Sequence, residues 1–163
     1  MGRDYEIVHA ITDDRRGIDV AFLCDADRFV TAGEIFKNII VRRVATRDLV
    51  QVTFETADGN RLVAIGNHWA SRGEGELDSE PYRMLAGESL AYFHKRSLEE
   101  LSDDTPVLAL GDFNDEPNDR SITEYALAVR ERQKVINARS PRFLDLMWPS
   151  SARGSDPTYY SNF

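Results

Sequence analysis

Apolar and polar positions alternate in short runs through the first half of the chain. Tyr5 to Ala10, Ile18 to Cys24, Asn38 to Val44, Leu49 to Glu55 and Arg61 to Asn67 are rich in β-branched and aromatic residues and separated by turn formers, the pattern of strands. Asp58-Gly59 falls between the last two runs, and Gly accepts the positive φ of a tight turn, so that pair is predicted to be antiparallel neighbours. From Asp78 the period changes. Tyr82, Leu85, Ala86, Leu90, Phe93 and Leu101 fall near one face of a helix that Asp78 or Ser79 caps and that ends around Ser102. A buried strand is expected at Pro106 to Leu110, followed by a polar turn and a second helix from about Asn118 to Arg132. Ser121-Ile122-Thr123-Glu124 has the capping-box form there, and Pro117-Asn118 is an equally good start. From Pro141 to Phe163 the chain is rich in Pro, Ser and Gly around Phe143-Leu144-Asp145-Leu146 and Thr158-Tyr159-Tyr160. There is no internal repeat, low-complexity tract or domain linker, so residues 1–163 read as a single domain. Antiparallel strands followed by helix, core strand and helix predict an α+β fold, a two-sheet α/β sandwich with helices packed outside the sheets.

Composition narrows the partners. With 42% hydrophobic and 10% aromatic side chains in 163 residues, the chain has the apolar content of a globular domain. A net charge of -8 opposes a broad nucleic-acid-coating surface. It leaves room for a metal enzyme that touches only one or two phosphates, because a divalent ion is the dominant local charge in such a site. Cys24, the only cysteine, has no partner for a disulfide or a Cys-based zinc site and reads as a small buried hydrophobe. No run approaches the roughly 20 apolar residues of a membrane span, and Met1-Gly2-Arg3-Asp4 does not begin a secretory signal, so a soluble chain without membrane partners is expected.

Chemistry concentrates at two strand ends. Val107-Leu108-Ala109-Leu110 runs into Gly111-Asp112-Phe113-Asn114-Asp115-Glu116-Pro117, which puts acids and amides at the C-terminal end of an apolar strand. Asp112 and Asn114 are two apart, so on an extended segment they share a face and could hold one phosphate or metal-bound water together. An EF-hand starting at Asp112 fails, since Pro117 stands where Gly is needed and Thr123 where Glu is needed. The structural alternative is a strand-to-helix turn whose Asp and Asn bond only to backbone. Leu62-Val63-Ala64-Ile65-Gly66 similarly delivers Asn67, His68, Trp69, Ala70 and Ser71. His68 has the chemistry of a general acid or base, phosphate donor or metal ligand, against the alternative of a structural imidazole beside Trp69. His9 and His94 lack such a setting and are assigned to structure.

Arg16-Gly17-Ile18-Asp19-Val20-Ala21-Phe22-Leu23, Thr46-Arg47-Asp48, Asn67-His68-Trp69-Ala70-Ser71 and Gly111-Asp112-Phe113-Asn114-Asp115-Glu116-Pro117 occur in the order and approximate spacing of one superfamily. The chain resembles the endonuclease/exonuclease/phosphatase, or DNase I-like, superfamily, with the nearest look to its bacterial extracellular-nuclease-like members. Weaker similarity extends to Thr158-Tyr159-Tyr160. The resemblance implies a hydrolase that attacks phosphoesters with activated water and uses Mg²⁺ or Mn²⁺. It implies that Asp112 and Asn114 orient or deprotonate the water and contact the scissile phosphate, with Asp112 also a metal ligand. His68 would hydrogen-bond the phosphate and protonate the leaving oxygen, and Asp48 would pair with His68, the alternative for Asp48 being a solvated strand-end acid. Asn67, Ser71 and Arg83 are expected near substrate, Arg83 otherwise being a surface residue. Asp19 and Asp145 are read as structural acids, and Glu74 to Glu80 as a solvated loop.

The chain also departs from the family pattern. Family members begin with a strand bearing Asn and another bearing the metal-binding Glu, and end with an Asp-bearing strand and an Asp-His pair. None of these is found, and Glu6 stands too close to Arg16-Gly17 to be that Glu. The expectation is therefore a chain truncated at both ends, with little hydrolysis on its own and open sheet edges through which a homodimer forms. The competing reading is a non-catalytic fragment that binds phosphate or a partner chain through those edges. Which phosphate ester is bound, including nucleic acid, is not encoded in these motifs.

Overall fold

The computed structural model describes residues 2–41 and 46–149, apart from the side chain of Glu74. The Thr158-Tyr159-Tyr160 segment and the end of the run predicted at Asn38 to Val44 lie outside the described residues. The strands are β1 (Tyr5–Ala10), β2 (Val20–Asp25), β3 (Phe29–Thr31), β4 (Phe36–Asn38), β5 (Leu49–Thr56), β6 (Arg61–His68), β7 (Val107–Asp112), β8 (Ala128–Val129) and β9 (Phe143–Leu144). The helices are α1 (Glu76–Glu100) and the short α2 (Arg132–Ile136).

The centre is a five-stranded sheet in the order β3-β5-β6-β7, with β4 also paired to β5. β5 and β6 are the predicted antiparallel hairpin, turned at Gly59 with φ 76°. α1 carries the chain back so that β7 joins β6 in parallel, from Val63↔Val107 to His68↔Asp112. One face of this sheet packs on α1, burying Leu49, Val63, Ile65, Trp69, Ala86 and Leu90 in one core. On the other face the antiparallel β1-β2 pair delivers Val8 and Phe22 against Val50, Val52, Phe54 and Ala64. Phe54 takes Phe22 and Phe29 edge-on, with ring centroids 5.9 and 6.0 Å away. The mixed α and β architecture matches expectation. No helix among the described residues is long and apolar enough to cross a membrane.

Several local expectations change. β7, expected as a buried strand, has Leu108 and Leu110 exposed, because only its α1 face is covered. α1 begins at Glu76, behind Gly75 rather than Asp78 or Ser79, so most of the acidic segment expected as a loop is helical. Its buried stripe is Ser79, Arg83, Ala86, Gly87, Leu90, His94 and Ser97, whereas Leu101 is exposed beyond its end. Small residues on this stripe let the helix come close, since a Cβ on Gly87 would strike the carbonyl oxygen of Ser121. The second long helix is replaced by a single wide turn at Ser121–Tyr125, β8 and α2. The amide of Ala126 closes that turn on Ser121 O at 2.8 Å, and Leu127 at φ 58° ends the helical path. Burial of Ile122, Ala126 and Ala128 in the α1 core outweighs the capping-box signal.

Candidate active site

The parallel pairing of β6 with β7 makes His68 and Asp112 lateral neighbours at the C-terminal tips of two adjacent strands. Backbone pairing continues one step further, the amide of Trp69 donating to Asp112 O at 2.9 Å. Neighbouring strands lie about 4.8 Å apart, so one phosphate can span the two side chains. The approach depends on Gly111, which has φ 128° and whose Cβ, if present, would collide with the backbone of Asn67.

The pleat divides the tip residues between two faces. A Cβ on Gly66 would meet Val20 and Phe22 of β2, so Gly66, and with it His68 two residues on, faces the β1-β2 side. Asn67 faces α1. Its amide donates to Ile65 O at 2.8 Å, and its oxygen accepts from Trp69 Nε1 at 2.9 Å in a buried site. Asn67, expected near substrate, is thus committed to holding the strand tip. Ser71 is also engaged, its Oγ accepting from Gly73 N at 3.1 Å to start the turn Arg72–Glu74.

Asp112 and Asn114 form one turn. Asp112 Oδ1 accepts from Asn114 N at 3.0 Å, and Asn114 takes the left-handed φ of 52° that Asn tolerates. Asn114 Nδ2 donates to Trp69 O at 3.1 Å, which ties the β7 turn to the end of β6. Among the described residues, the imidazole of His68, the second carboxylate oxygen of Asp112 and the side-chain oxygen of Asn114 accept or donate no hydrogen bond. These three expected residues are therefore brought together with polar atoms to spare.

The turn is held from behind by a network. Arg72 Nε donates to Asn114 O at 2.9 Å, and its Nη2 reaches Asp115 Oδ1 at 3.0 Å and also Asp119. Arg83 Nε donates to Asp115 Oδ1 at 2.6 Å, and Ser121 Oγ donates to the other oxygen of Asp115. Arg83 is not at the surface; its side chain, 2% exposed against 3% for Asp115, is engaged by Asp115 and Ser79.

Asp48 is the clearest correction. It is buried, and burial raises its carboxyl pKa against a lowering hydrogen bond from the Ile40 backbone. Among the described residues it makes no hydrogen bond or ion pair to His68. Its neighbour Arg47 reaches the site instead, donating to His68 O at 3.2 Å and Trp69 O at 2.7 Å, with Asp14 Oδ1 3.4 Å away. Burial lowers the pKa of His68, Arg47 lowers it further, and Asp112 acts in the opposite sense. The net shift is downward, which keeps the imidazole neutral near neutral pH. Sequence reasoning missed Arg47 and Asp14. Asp14-Arg15-Arg16-Gly17 does carry the signal of an Asx turn, an acid three residues before Gly. As expected, Asp19 is structural, accepting from Thr12 N at 2.8 Å and lying 3.1 Å from His9. His94 is buried and stacks on Phe143 at 4.0 Å. Asp145 closes a turn, accepting from Met147 N at 2.8 Å.

A profile of the Endonuclease/Exonuclease/phosphatase family matches residues 1–162. The chain belongs to this family. Among solved structures, the catalytic domain of human Nocturnin with bound sulfate anion aligns with a TM-score of 0.55 at 18% identity, over 75% of this chain and 47% of that one. ANGEL2, a 2',3'-cyclic phosphatase, aligns with a TM-score of 0.50 at 16% identity, over 73% of this chain and 34% of that one. The family member described here thus spans about half, or less, of these two proteins, and at such identities the likeness establishes a shared fold. No sequence among curated proteins matches.

The family's use of divalent cations can be tested against the donors present. Among the described residues no group of three or more His, Cys, Asp or Glu side chains could enclose a metal ion. Asp112 alone supplies an unspent carboxylate oxygen beside His68. That fits Mg²⁺ only in the mode in which a hard cation keeps most of its waters and is held by one carboxylate and by substrate phosphate.

Proposed function

We propose that the chain carries the central half-site of a divalent-metal-dependent phosphoester hydrolase. The observation that carries this reading is the set of unspent polar atoms on His68, Asp112 and Asn114 at two adjacent strand tips. Asp112 is exposed and His68 and Asn114 are half-buried, so these atoms are met by water that a phosphate or a metal-bound water can replace. Asp112 and the side-chain oxygen of Asn114 are acceptors, suited to orient a water and take its proton as its oxygen adds to phosphorus. Neutral His68 donates its ring N–H to a phosphate oxygen and holds it, Asp112 takes the proton of the attacking water, and the departing oxygen takes its proton from solvent as the P–O bond breaks. Mg²⁺ or Mn²⁺, held by Asp112 and the phosphate, supplies charge neutralisation when bound. With one carboxylate in place, affinity for the metal without substrate is weak and turnover by this chain alone is slow. The phosphate chemistry named for ANGEL2 and the tetrahedral anion bound to Nocturnin are consistent with a phosphate ester as substrate, nucleic acid included.

The test is hydrolysis of bis(p-nitrophenyl) phosphate at high Mg²⁺ or Mn²⁺ by the wild type and by Asp112→Ala. The expected result is slow, metal-dependent release that falls by about a hundredfold or more in the variant, the scale of losing a positioned charged group. Equal rates with and without Asp112 would overturn the assignment.

A second reading rests on the described residues holding no three-ligand group: a non-catalytic chain that binds phosphate or a second copy of itself. β7 is an edge strand, and Leu108 and Leu110 on it are 42% and 38% exposed. An open edge of this kind is a template for pairing, so a homodimer through it is the partner that reading favours. Phosphate binding without turnover, together with a dimeric mass by light scattering, would select it.

A further inference from the structure

The turn that precedes β2 is bolted to the His68 tip although no motif assigned it a role. Asp14 Oδ2 accepts from Arg16 N at 3.0 Å and Ile18 N at 3.3 Å, while Gly17 N closes on Asp14 O at 3.0 Å with φ 68°. This tight turn puts Arg15 and Arg16 at its two exposed corners. The other carboxylate oxygen of Asp14 faces Arg47 Nη1 at 3.4 Å, and Arg47 is itself seated on the carbonyls of His68 and Trp69. A chain of contacts, Arg16 turn to Asp14 to Arg47 to His68, therefore fixes where the turn that carries Arg15 and Arg16 stands relative to the site.

Their charge is not consumed in that chain. Asp14 is opposed by Arg47, both with side chains about 5% exposed, whereas Arg16 is 61% exposed and touches Asp14 only at 3.7 Å. Asp13, next in sequence, acts on Asp48. Two exposed arginines on a turn tied to the His68 tip run against the chain's net charge of -8. After burial, Arg47 lowers the His68 pKa most, and Arg16 acts in the same sense.

We propose that Arg15 and Arg16 form a second anion-binding corner beside the His68, Asp112 and Asn114 centre, and that the preferred ester therefore carries a second phosphate next to the one hydrolysed. The inference rests on the hydrolase reading above and names a substrate class for it. The guanidinium fork is suited to phosphate oxygens, and anchoring the turn removes much of the ordering cost of meeting them. The same chemistry is offered by a nucleic-acid strand and by a small bisphosphate, and the test has an arm for each.

Binding by calorimetry and metal-dependent turnover are measured for a dinucleotide with and without a terminal phosphate, and for a nucleoside bisphosphate against its monophosphate. The wild type is expected to favour the two-phosphate member of at least one pair by about five- to tenfold, as exposed charge contacts allow. The preference shrinks as salt rises. In the Arg15→Gln/Arg16→Gln double variant the ratio falls towards one. Arg61→Gln, at the opposite end of β6 and paired with Glu55, removes a charge elsewhere and keeps the ratio. The dinucleotide pair alone responding identifies a strand as the source; the bisphosphate pair alone responding identifies a small molecule. A wild type without preference, or a preference that survives the double variant, overturns the inference while Asp112-dependent hydrolysis still stands. Absence of both binding and turnover overturns the hydrolase reading and this inference together.

Discussion

The two faces of the central sheet are built from the same strands and do opposite work. On the α1 face, polar groups near the strand tips are paired among the described residues: Asn67 with Trp69, Arg83 with Asp115 and Ser79, Arg72 with Asn114 and Asp115. On the other face β1-β2 covers β5 and β6 but leaves Leu108, Leu110 and Asp112 of β7 exposed, and there His68 and Asp112 keep free atoms. Because side chains alternate along a strand, parity alone turns Asn67 to the paired face and His68 to the open one. The paired face holds the geometry that the unpaired face offers to a ligand.

The strongest way to break that division is to remove its central charge. Asp115→Ala leaves Arg83 buried without its partner, and breaking one side of a buried ion pair costs about 3–5 kcal/mol. Chemical denaturation should show that loss, together with fading activity as Asn114 loses the Arg72 and Asp115 support behind it. Adding Arg83→Met removes the orphaned charge and should restore much of the stability without restoring turnover. Recovery of both, or a loss below about 1 kcal/mol in the single variant, would show that the network does not hold the site.

The sequence made the strand tips legible and left the network behind them obscure, for a physical reason. β1, β2, β5 and β6 fall where the short β-rich runs place them, because a strand with a sheet face to bury draws on such residues, whereas the continuous apolar run of β7 located the strand but not its half-exposed setting. His68 and Asp112 share a tip because two apolar runs end in polar residues and pair in parallel. The α1 stripe was harder to see. It mixes Ser79, Arg83, His94 and Ser97 with Leu90, and a polar residue reads as exposed until its partner is known. Asp48 and Arg47 differ by one position, and no local pattern says which of them turns towards His68. The capping-box form at Ser121 is equally local, and close approach of α1 at Gly87 decided that segment instead.

His94 sharpens the comparison through pH. Burial against Phe143 drops its pKa from 6.5 to about 4, so the unfolded chain binds the proton more readily between those values. Stability from this group is fully present above pH 6.5 and is lost as pH falls towards 4, by at most about 3 kcal/mol. His94→Phe, which keeps the stacked ring, should flatten this part of the acid limb in denaturation curves. An unchanged limb would mean that the α1 face opens to water before the imidazole is protonated.

The smallest expected effect lies on the uncovered face of β7. Leu108 and Leu110 alternate with Val107 and Ala109, which pack into the α1 core. Substitution at an exposed position away from special features is usually worth within about 0.5 kcal/mol, so Leu108→Thr and Leu110→Thr should scarcely move the denaturation midpoint of a monomer. Thr is β-branched and suits a strand, so any loss reports lost burial rather than lost propensity. A second copy seated on this edge would change the outcome in a recognisable way. The midpoint would then depend on protein concentration, and the loss would grow with the area the partner covers, because an assembled state is stabilised by mass action. A large loss independent of concentration would instead place something from the chain itself over these leucines, and the contrast between the two faces of the sheet would be weaker than the described residues make it.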